Sequence, residues 1–515
     1  MNWTRKEKKE GKKLSKKQSI ILLMVCIMFC LVVLGLSFWQ FNVVVNWNNR
    51  LNLYKEVWNI NPHASDDFEL SNVQANGSDF IIQYDINNTA GVDNVKLVLY
   101  GSNTYTLSNL SADEKYAHFS GIADGTYMAT AYAYSTKGNL IKTSNSRLIK
   151  TGEVEGAVVS YLNPDDDTFD YSGQYLCSPS IARLDDGTLF ISHDLYNSGV
   201  ANQNLTRIYR SIDDGETWEF ISDLYPCYWG KLFVIDNTLY MIACSTEYGD
   251  LLIGSSSDGI NWSNPTMILK GGNHITGGVH KAPNPVLISN GRVYCAIEYG
   301  SWINGHDSGY VCASVDCDLL NAENWTVSNF LKYSNKNVSG ALSGKGLSYL
   351  EGNILENRNG ELVNILRYNT KDSNEPYGKA VMMHIDRENN KVVSGETINF
   401  IGNMAKFAIM YDSNTDRYLS LVNKVTNGNP SQRNVLTLVD SYDLYNWNDD
   451  GDIINYEDNG YPEDDTKVGF QYIDWIIVGN DIYFVSRTAI NGADSYHNSN
   501  YVTFHKIENY QDLIR

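Results

Sequence analysis

Four acidic residues, Asp194, Glu298, Glu351 and Asp474, stand where apolar, strand-like runs begin or end. Brought to one place, such groups suit glycoside cleavage. One carboxyl must stay protonated to donate to the leaving oxygen, while a second group acts as nucleophile or activates water. Low-dielectric neighbours and mutual repulsion are what would keep one of them protonated. Arg367 and Arg487 close two further strands, and Arg433 lies between them. In a chain with 60 Asp and Glu against 40 Lys and Arg, these make sense as a binding set for a carboxylate, because Arg bonds that group bidentately. The competing reading is that they pair with the acids just named. His280, Lys406 and Tyr472 occupy comparable strand starts, with Trp229, Lys231, Lys281, Asn353 and Gln471; His193, Glu247, Asn423 and Lys424 end strands.

The elements that must position these groups repeat. Ser211, Asp213, Gly215, Thr217 and Trp218 form a tight-turn pattern, with Asp and Ser to hold backbone, Gly for positive φ and Trp as an apolar plug. Degenerate copies occur at Ser255 to Trp262, Ser314 to Trp325 and Ser441 to Trp447. A second pattern, strand, polar turn, strand, has its turns at Asp185–Gly187, Asp236–Asn237, Asn290–Gly291, Asn357–Gly360, Asp412–Asp416 and Gly479–Asp481. The spacing is roughly 50 to 70 residues, the size of a four-stranded blade with loops. The expectation for 155–515 is therefore a six-bladed β-propeller, or five-bladed if 348–400 is miscounted, with the inner strand ends lining one shared mouth.

Ahead of it, Ser19 to about Trp39 is almost continuously apolar, roughly the 20 residues that cross a bilayer as a helix. Residues 1–18 carry eight Lys or Arg against two Glu. The positive-inside rule then predicts a cytoplasmic tail over 1–18, a signal anchor over 19–39, and a single-pass membrane protein with extracellular C-terminal domains. A linker spans 40–64. Short alternating strands from 65 to 152 predict a small Ig-like β-sandwich, which makes the whole chain all-β apart from the anchor. Beyond the tail the chain is strongly acidic, which argues against nucleic acid as a partner.

Two resemblances join these readings. Gly91-Val-Asp-Asn-Val-Lys96 and the run from Asp124-Gly-Thr-Tyr127 through Ala131-Tyr-Ala-Tyr-Ser135 resemble the Bsp-like repeat of Gram-positive surface proteins, which implies a spacer module. The Ser211–Trp218 turn resembles the Asp-box of sialidases and related BNR-repeat proteins. The span from Ser178 to His505 is similar to a bacterial sialidase-like group through Ser178-Pro-Ser-Ile-Ala182, Ile191-Ser-His-Asp-Leu195, Glu351-Gly-Asn353, Lys406-Phe407, Gln432-Arg-Asn-Val435, Gly469 to Trp475, Ser486-Arg-Thr-Ala489 and Asn500 to His505. The resemblance implies exo-glycosidase activity on sialosides. Arg367, Arg433 and Arg487 would bind the substrate carboxylate, Tyr472 would be the nucleophile, Glu298 or Glu351 its partner, and Asp194 the acid/base. Where that family opens with Arg-Ile-Pro, this chain has Ser178-Pro179-Ser180, so a glycosidase with two carboxylates and another sugar stays open.

No cofactor is expected. The acidic runs Asp165–Asp167 and Glu463–Asp465 read as solvated loops, and His274, His280 and His306 lack zinc-ligand spacing. The cysteines beyond Cys26 and Cys30 read as small buried hydrophobes, with one or two disulfides open. Two functions follow: a membrane-anchored hydrolase acting on exposed glycans, or a carbohydrate-binding or adhesive propeller without catalysis.

Overall fold

The computed structural model describes residues 16, 17, 20, 21, 23–34, 67–101, 103–150, 154–163, 172–197, 203–457 and 465–515. The basic tail apart from residues 16 and 17, the 40–64 linker, Asp165–Asp167 and Glu463–Asp464 lie outside them. The chain divides into two units, Met1–Val57 and Trp58–Arg515. In the first, residues 23–34 are helical. A spanning helix needs about 20 consecutive apolar residues, and among the described residues no helix is long and apolar enough to cross a membrane. That overturns the signal anchor expected over 19–39. The membrane as a partner, and single-pass localisation with extracellular domains, fall with it.

The second unit is almost wholly strand. Its first part follows the two-residue period of a half-buried sheet. In Asp79–Ile86, Phe80, Ile82 and Tyr84 are buried while Ile81 is exposed. They pack with Leu70, Val95, Leu97 and Leu99 into a cluster of their own. Strands further along are covered on both faces and lose the alternation: in Leu189–Tyr196 every residue but the last is buried.

Strands Phe68–Asn76, Asp79–Ile86 and Tyr116–Phe119 form a three-stranded sheet. An eight-stranded sheet joins Asn94–Gly101, Tyr105–Leu110, Tyr127–Tyr134 and Leu140–Lys150 to Tyr175–Arg183, Leu189–Tyr196, Thr206–Ser211 and Glu219–Leu224. Its halves meet where Glu219 pairs with Arg147. Five more sheets follow, over 228–269, 278–332, 338–399, 408–455 and 469–507, and the strand Ala157–Tyr161 pairs with Tyr501–Ile507 as the outer strand of the last. In each of the groups from 175 onward, one of the six polar turns read from the sequence joins two successive strands, the first two in four groups and the second and third in 278–332 and 338–399.

The expected fold, a six-bladed propeller preceded by a separate sandwich and a membrane helix, is corrected by this arrangement. The strands assigned to the first blade share one sheet with four of the seven assigned to the sandwich, two of the later sheets hold five and six strands, and among the described residues no closed propeller or barrel is present. Sequence periodicity reports which residues of a strand are buried; it does not report which edges pair, and here the edge of Glu219–Leu224 pairs with Leu140–Lys150.

The Ser-x-Asp turns connect the last two strands of three of these groups. At the first, Ser211 Oγ donates to Asp213 Oδ1 (2.7 Å) and accepts from the Gly215 amide (2.9 Å), Asp213 accepts from the Thr217 amide (2.9 Å), and the Trp218 indole donates to the Gly215 carbonyl (3.1 Å). Gly215 is required twice over: its φ is +87°, and a Cβ there would meet the Phe504 ring at 2.2 Å. Asp258 and Asp443 hold their turns through the same kinds of bond, with Trp262 and Trp447 donating back to the turn. The copy at Ser314 is looser, and Trp325 donates to Leu319 instead.

Candidate active site

Four of the strands that lead into the six polar turns carry the same irregularity. The pairing skips two residues against one between Cys177 and Ser180, Tyr228 and Lys231, Leu350 and Asn353, and Gln471 and Asp474. The first skipped residue is left-handed each time: Ser178 (φ 49°), Trp229 (54°), Glu351 (60°) and Tyr472 (55°). These are β-bulges, which re-aim side chains and leave backbone groups outside the ladder. A non-glycine residue held there stores on the order of 1–3 kcal/mol of strain, so something must hold it.

Charged and amide side chains from neighbouring strands do so. The Trp229 amide donates to Asp194 Oδ2 (2.7 Å), and the Trp229 carbonyl accepts from Lys281 Nζ (2.8 Å). The Gly352 amide donates to Glu298 Oε1 (3.0 Å), while Asn284 Nδ2 donates to the carbonyls of Glu351 (2.7 Å) and Gly352 (2.8 Å). Lys406 Nζ donates to the Ile473 carbonyl (2.5 Å). Past the first bulge, Ser180 Oγ (2.8 Å) and the Ile181 amide (2.9 Å) donate to Asp474 Oδ2, which also takes Lys231 Nζ at 2.5 Å. Buried backbone groups need partners, and this is why polar residues recur at equivalent strand positions.

Of the four carboxylates singled out in the sequence, only Glu351 is turned toward Tyr472. The Tyr472 hydroxyl donates to Glu351 Oε1 at 2.6 Å. Arg367 Nη1 donates to Glu351 Oε2 at 2.9 Å and to the Tyr472 oxygen at 3.3 Å. Burial opposes the Glu351 charge, yet Arg367, His280 and the Tyr472 hydroxyl outweigh it and hold the carboxyl below its usual 4.5. Burial, with the Glu351 charge beside it, pushes the Tyr472 phenol up to about 12. The pair is therefore an ionised carboxylate and a neutral phenol.

Arg487 pairs across the sheet with Gln471, and Arg367 with Leu350, so both flank a bulge in the same register. The Arg487 guanidinium lies 5.3 Å from the centre of the Tyr472 ring and 5.5 Å from that of Tyr196. It donates to Ser499 Oγ (3.3 Å) and the His497 carbonyl. Arg433 donates to Gln471 Oε1 and stands 5.3 Å from the Tyr496 ring. Burial and the like charges of Arg367 and Arg487 bring Arg433 down to about 10. Among the described residues neither Arg433 nor Arg487 forms an ion pair with a carboxylate, although both are buried.

The side chains of the remaining expected residues make no hydrogen bond to those of Glu351 and Tyr472. Asp194 is buried with Thr206 Oγ1 at 2.5 Å from Oδ1 and the Trp229 amide on Oδ2, and burial raises its pKa to about 7 against those bonds. Glu298 Oε2 meets His280 Nδ1 at 2.7 Å. Burial drives Lys406 down to about 7, with Asp474 opposing. Sequence reasoning did not single out Tyr196, Tyr496 or His497, which surround the arginines. They fall in irregular segments or at a strand end, with no spacing to mark them. Among the described residues, no group of three or more His, Cys, Asp or Glu is arranged to hold a metal ion. All eight cysteines are free. A cavity of about 670 Å³ lined by Ile288, Glu356, Arg358, Met410, Tyr411 and Tyr418 contains none of the candidate residues.

No protein-family model matches the chain, and no curated protein matches it. Among solved structures, it is similar to the Hadza microbial sialidase Hz136, at 13% identity over 87% of this chain and 98% of that one, with a TM-score of 0.47. It is similar to the α-L-arabinofuranosidase Arb93A from Fusarium graminearum, at 13% identity over 71% and 100%, TM-score 0.48. The Trypanosoma rangeli sialidase in complex with sialic acid aligns at 13% identity over 70% and 58%, TM-score 0.43. These are remote likenesses of fold to several glycoside-hydrolase structures, and neither the Asp-box sialidase family nor the Bsp-like repeat is matched. The chemistry of the site is read from its own side chains.

Proposed function

We propose that this chain is an exo-glycosidase that removes a terminal carboxylate-bearing sugar, of the sialic acid class, from glycans, with Tyr472 as nucleophile. The observation that carries the reading is the 2.6 Å contact between Tyr472 and Glu351 beside Arg367, Arg433 and Arg487. Two buried guanidinium groups that meet no carboxylate among the described residues, in so acidic a chain, fit an anion supplied by the substrate. An anionic sugar also explains a phenol in place of a carboxylate nucleophile, because a second negative charge would repel it; tyrosine nucleophiles are a known exception to the two-carboxylate scheme. Glu351, already ionised, takes the phenol proton as the oxygen attacks the anomeric carbon, and Arg367 steadies both. Water then attacks the anomeric carbon and gives its proton to the carboxylate that had protonated the leaving oxygen, while the bond to Tyr472 breaks and Glu351 returns the proton to the phenol oxygen. A protonated carboxyl is needed at the leaving oxygen, and Asp194, with its raised pKa, is assigned that role.

A non-catalytic carbohydrate-binding role is favoured by one observation: both Asp194 oxygens already have donors. Turnover of a panel of aryl glycosides that includes the sialoside separates the two readings. Release from the sialoside alone is expected. Binding without release from any member would sink the enzyme reading.

A further inference from the structure

The hairpin joining Arg292–Ser301 to Gly305–Ser314 carries an apolar patch that packing does not explain. Trp302 is 59% exposed, Ile303 67%, and Ile275 on the adjoining loop 65%. Large apolar side chains gathered on a surface mark an interaction site more often than scattered ones do. This patch is also held still. The Trp302 amide donates to the Tyr248 hydroxyl at 3.3 Å, Ser301 Oγ accepts from the Ile303 and Asn304 amides (3.2 Å each), and Asn304 Nδ2 donates to the Ile275 carbonyl at 3.0 Å. The hairpin and the loop are thus tied together with their apolar side chains outward.

The patch is connected to the bulge at Glu351 through buried side chains. The Trp302 ring meets His306 edge-on at 4.9 Å, and His306 lies 4.7 Å from His280. His280 bonds Glu298, which holds the Gly352 amide next to Glu351. Two imidazole rings and the Glu298 carboxylate separate the exposed indole from the bulge that presents Glu351. An aromatic face offers large contact area at low entropic cost, and the C–H face of a pyranose is the apolar surface that fits it.

From this we infer that Trp302, backed by Ile303 and Ile275, is a stacking platform for the next sugar of the glycan, on the leaving-group side of the bond. The inference rests on the proposed exo-glycosidase function. It makes Trp302 a specificity residue that acts only when the aglycone is itself a sugar ring.

The test compares 3′-sialyllactose with methyl α-sialoside, whose aglycone has no ring, using the full chain and its Trp302→Ala and Trp302→Phe variants. Trp302→Ala should lower kcat/KM about tenfold on sialyllactose and less than twofold on the methyl sialoside, with Trp302→Phe restoring most of it. An equal fall on both substrates, or no change on either, overturns the inference. Saturation-transfer NMR with lactose alone separates the two readings. Lactose binding that Trp302→Ala abolishes, in a protein that turns over neither sialoside, upholds the platform while the sialoside reading fails. No transfer to lactose in the native protein overturns the platform. So does self-association that Trp302→Ala abolishes, which would make the patch an interface between copies.

Discussion

At the scale of single residues, the proposed chemistry depends on two groups whose protonation is set by neighbours rather than by type. Burial and Glu351 keep the Tyr472 phenol protonated up to about 12, so the resting protein holds no phenolate. Attack must coincide with proton transfer to Glu351, whose pKa lies below 4.5. Glu351→Gln should therefore lower kcat roughly 10²–10⁴-fold, and Tyr472→Phe should remove turnover while leaving the sugar bound. Retained turnover in Tyr472→Phe would exclude it as nucleophile. The acid limb of the kcat/KM profile should fall below pH 4.5, the side on which Glu351 gains its proton. Arg433→Lys keeps the charge but loses the planar fork, so KM should rise about tenfold with kcat little changed; an equal loss in kcat would place the contact in the transition state alone.

Tyr472 itself was legible only through its surroundings in Gly469–Trp475. A tyrosine at a strand start among 35 in the chain carries no mark of its own. The carboxylates were legible as a class but not by role. Asp194, Glu298 and Asp474 sit at strand positions like that of Glu351, yet each accepts a backbone amide near a bulge, where Glu351 accepts the Tyr472 hydroxyl. What distinguishes them is a left-handed φ at Glu351, a backbone property that no spacing rule reports.

At the scale of elements, two devices divide the work. The Ser-x-Asp turns hold the last hairpin of three sheet groups, through side chains whose hydrogen bonds are spent within the turn. Their residue pattern is local, which is why the sequence revealed them. Asp213→Ala should cost about 1–2 kcal/mol in denaturant unfolding, the worth of a lost local cap of this kind, with kcat/KM unchanged. A catalytic loss without a stability loss would show that the turn communicates with the site. The bulges do the opposite: they interrupt a ladder to aim Glu351 and Tyr472, and their holding groups come from distant parts of the chain, Asn284 for one and Lys406 for the other. Such partnerships are set by sheet-to-sheet contact, so sequence shows the polar residues but not what they hold.

At the scale of the whole molecule, strand content was legible and sheet connectivity was not. Ala157–Tyr161 crosses more than 300 residues of sequence to pair with Tyr501–Ile507, and Ser160 Oγ lies 3.0 Å from the Tyr209 hydroxyl, so one short strand links the last sheet to the eight-stranded one. The buried acids leave a signature in the stability of the unit. Asp194 has a folded pKa raised from 3.8 to about 7, so the folded chain keeps a proton that the unfolded chain has released, and its contribution to stability falls as pH rises through that window. Asp194→Asn cannot titrate. The stability difference between native protein and variant should therefore shift in favour of the variant from pH 4 to pH 7; a difference that does not vary with pH would mean that Asp194 is ionised throughout.

The central claim is that the Tyr472 oxygen forms the bond to the sugar. It is tested most directly by treating the protein with a 2,3-difluoro sialic acid. Fluoride leaves the anomeric carbon as the phenol oxygen attacks and Glu351 accepts its proton, and the second fluorine slows release of the adduct. Peptide mass spectrometry should find the fluorosialyl group on Tyr472, absent from Tyr472→Phe. A label on Glu351, Asp194 or another carboxylate, or no adduct from a protein that turns over the sialoside, would contradict the claim.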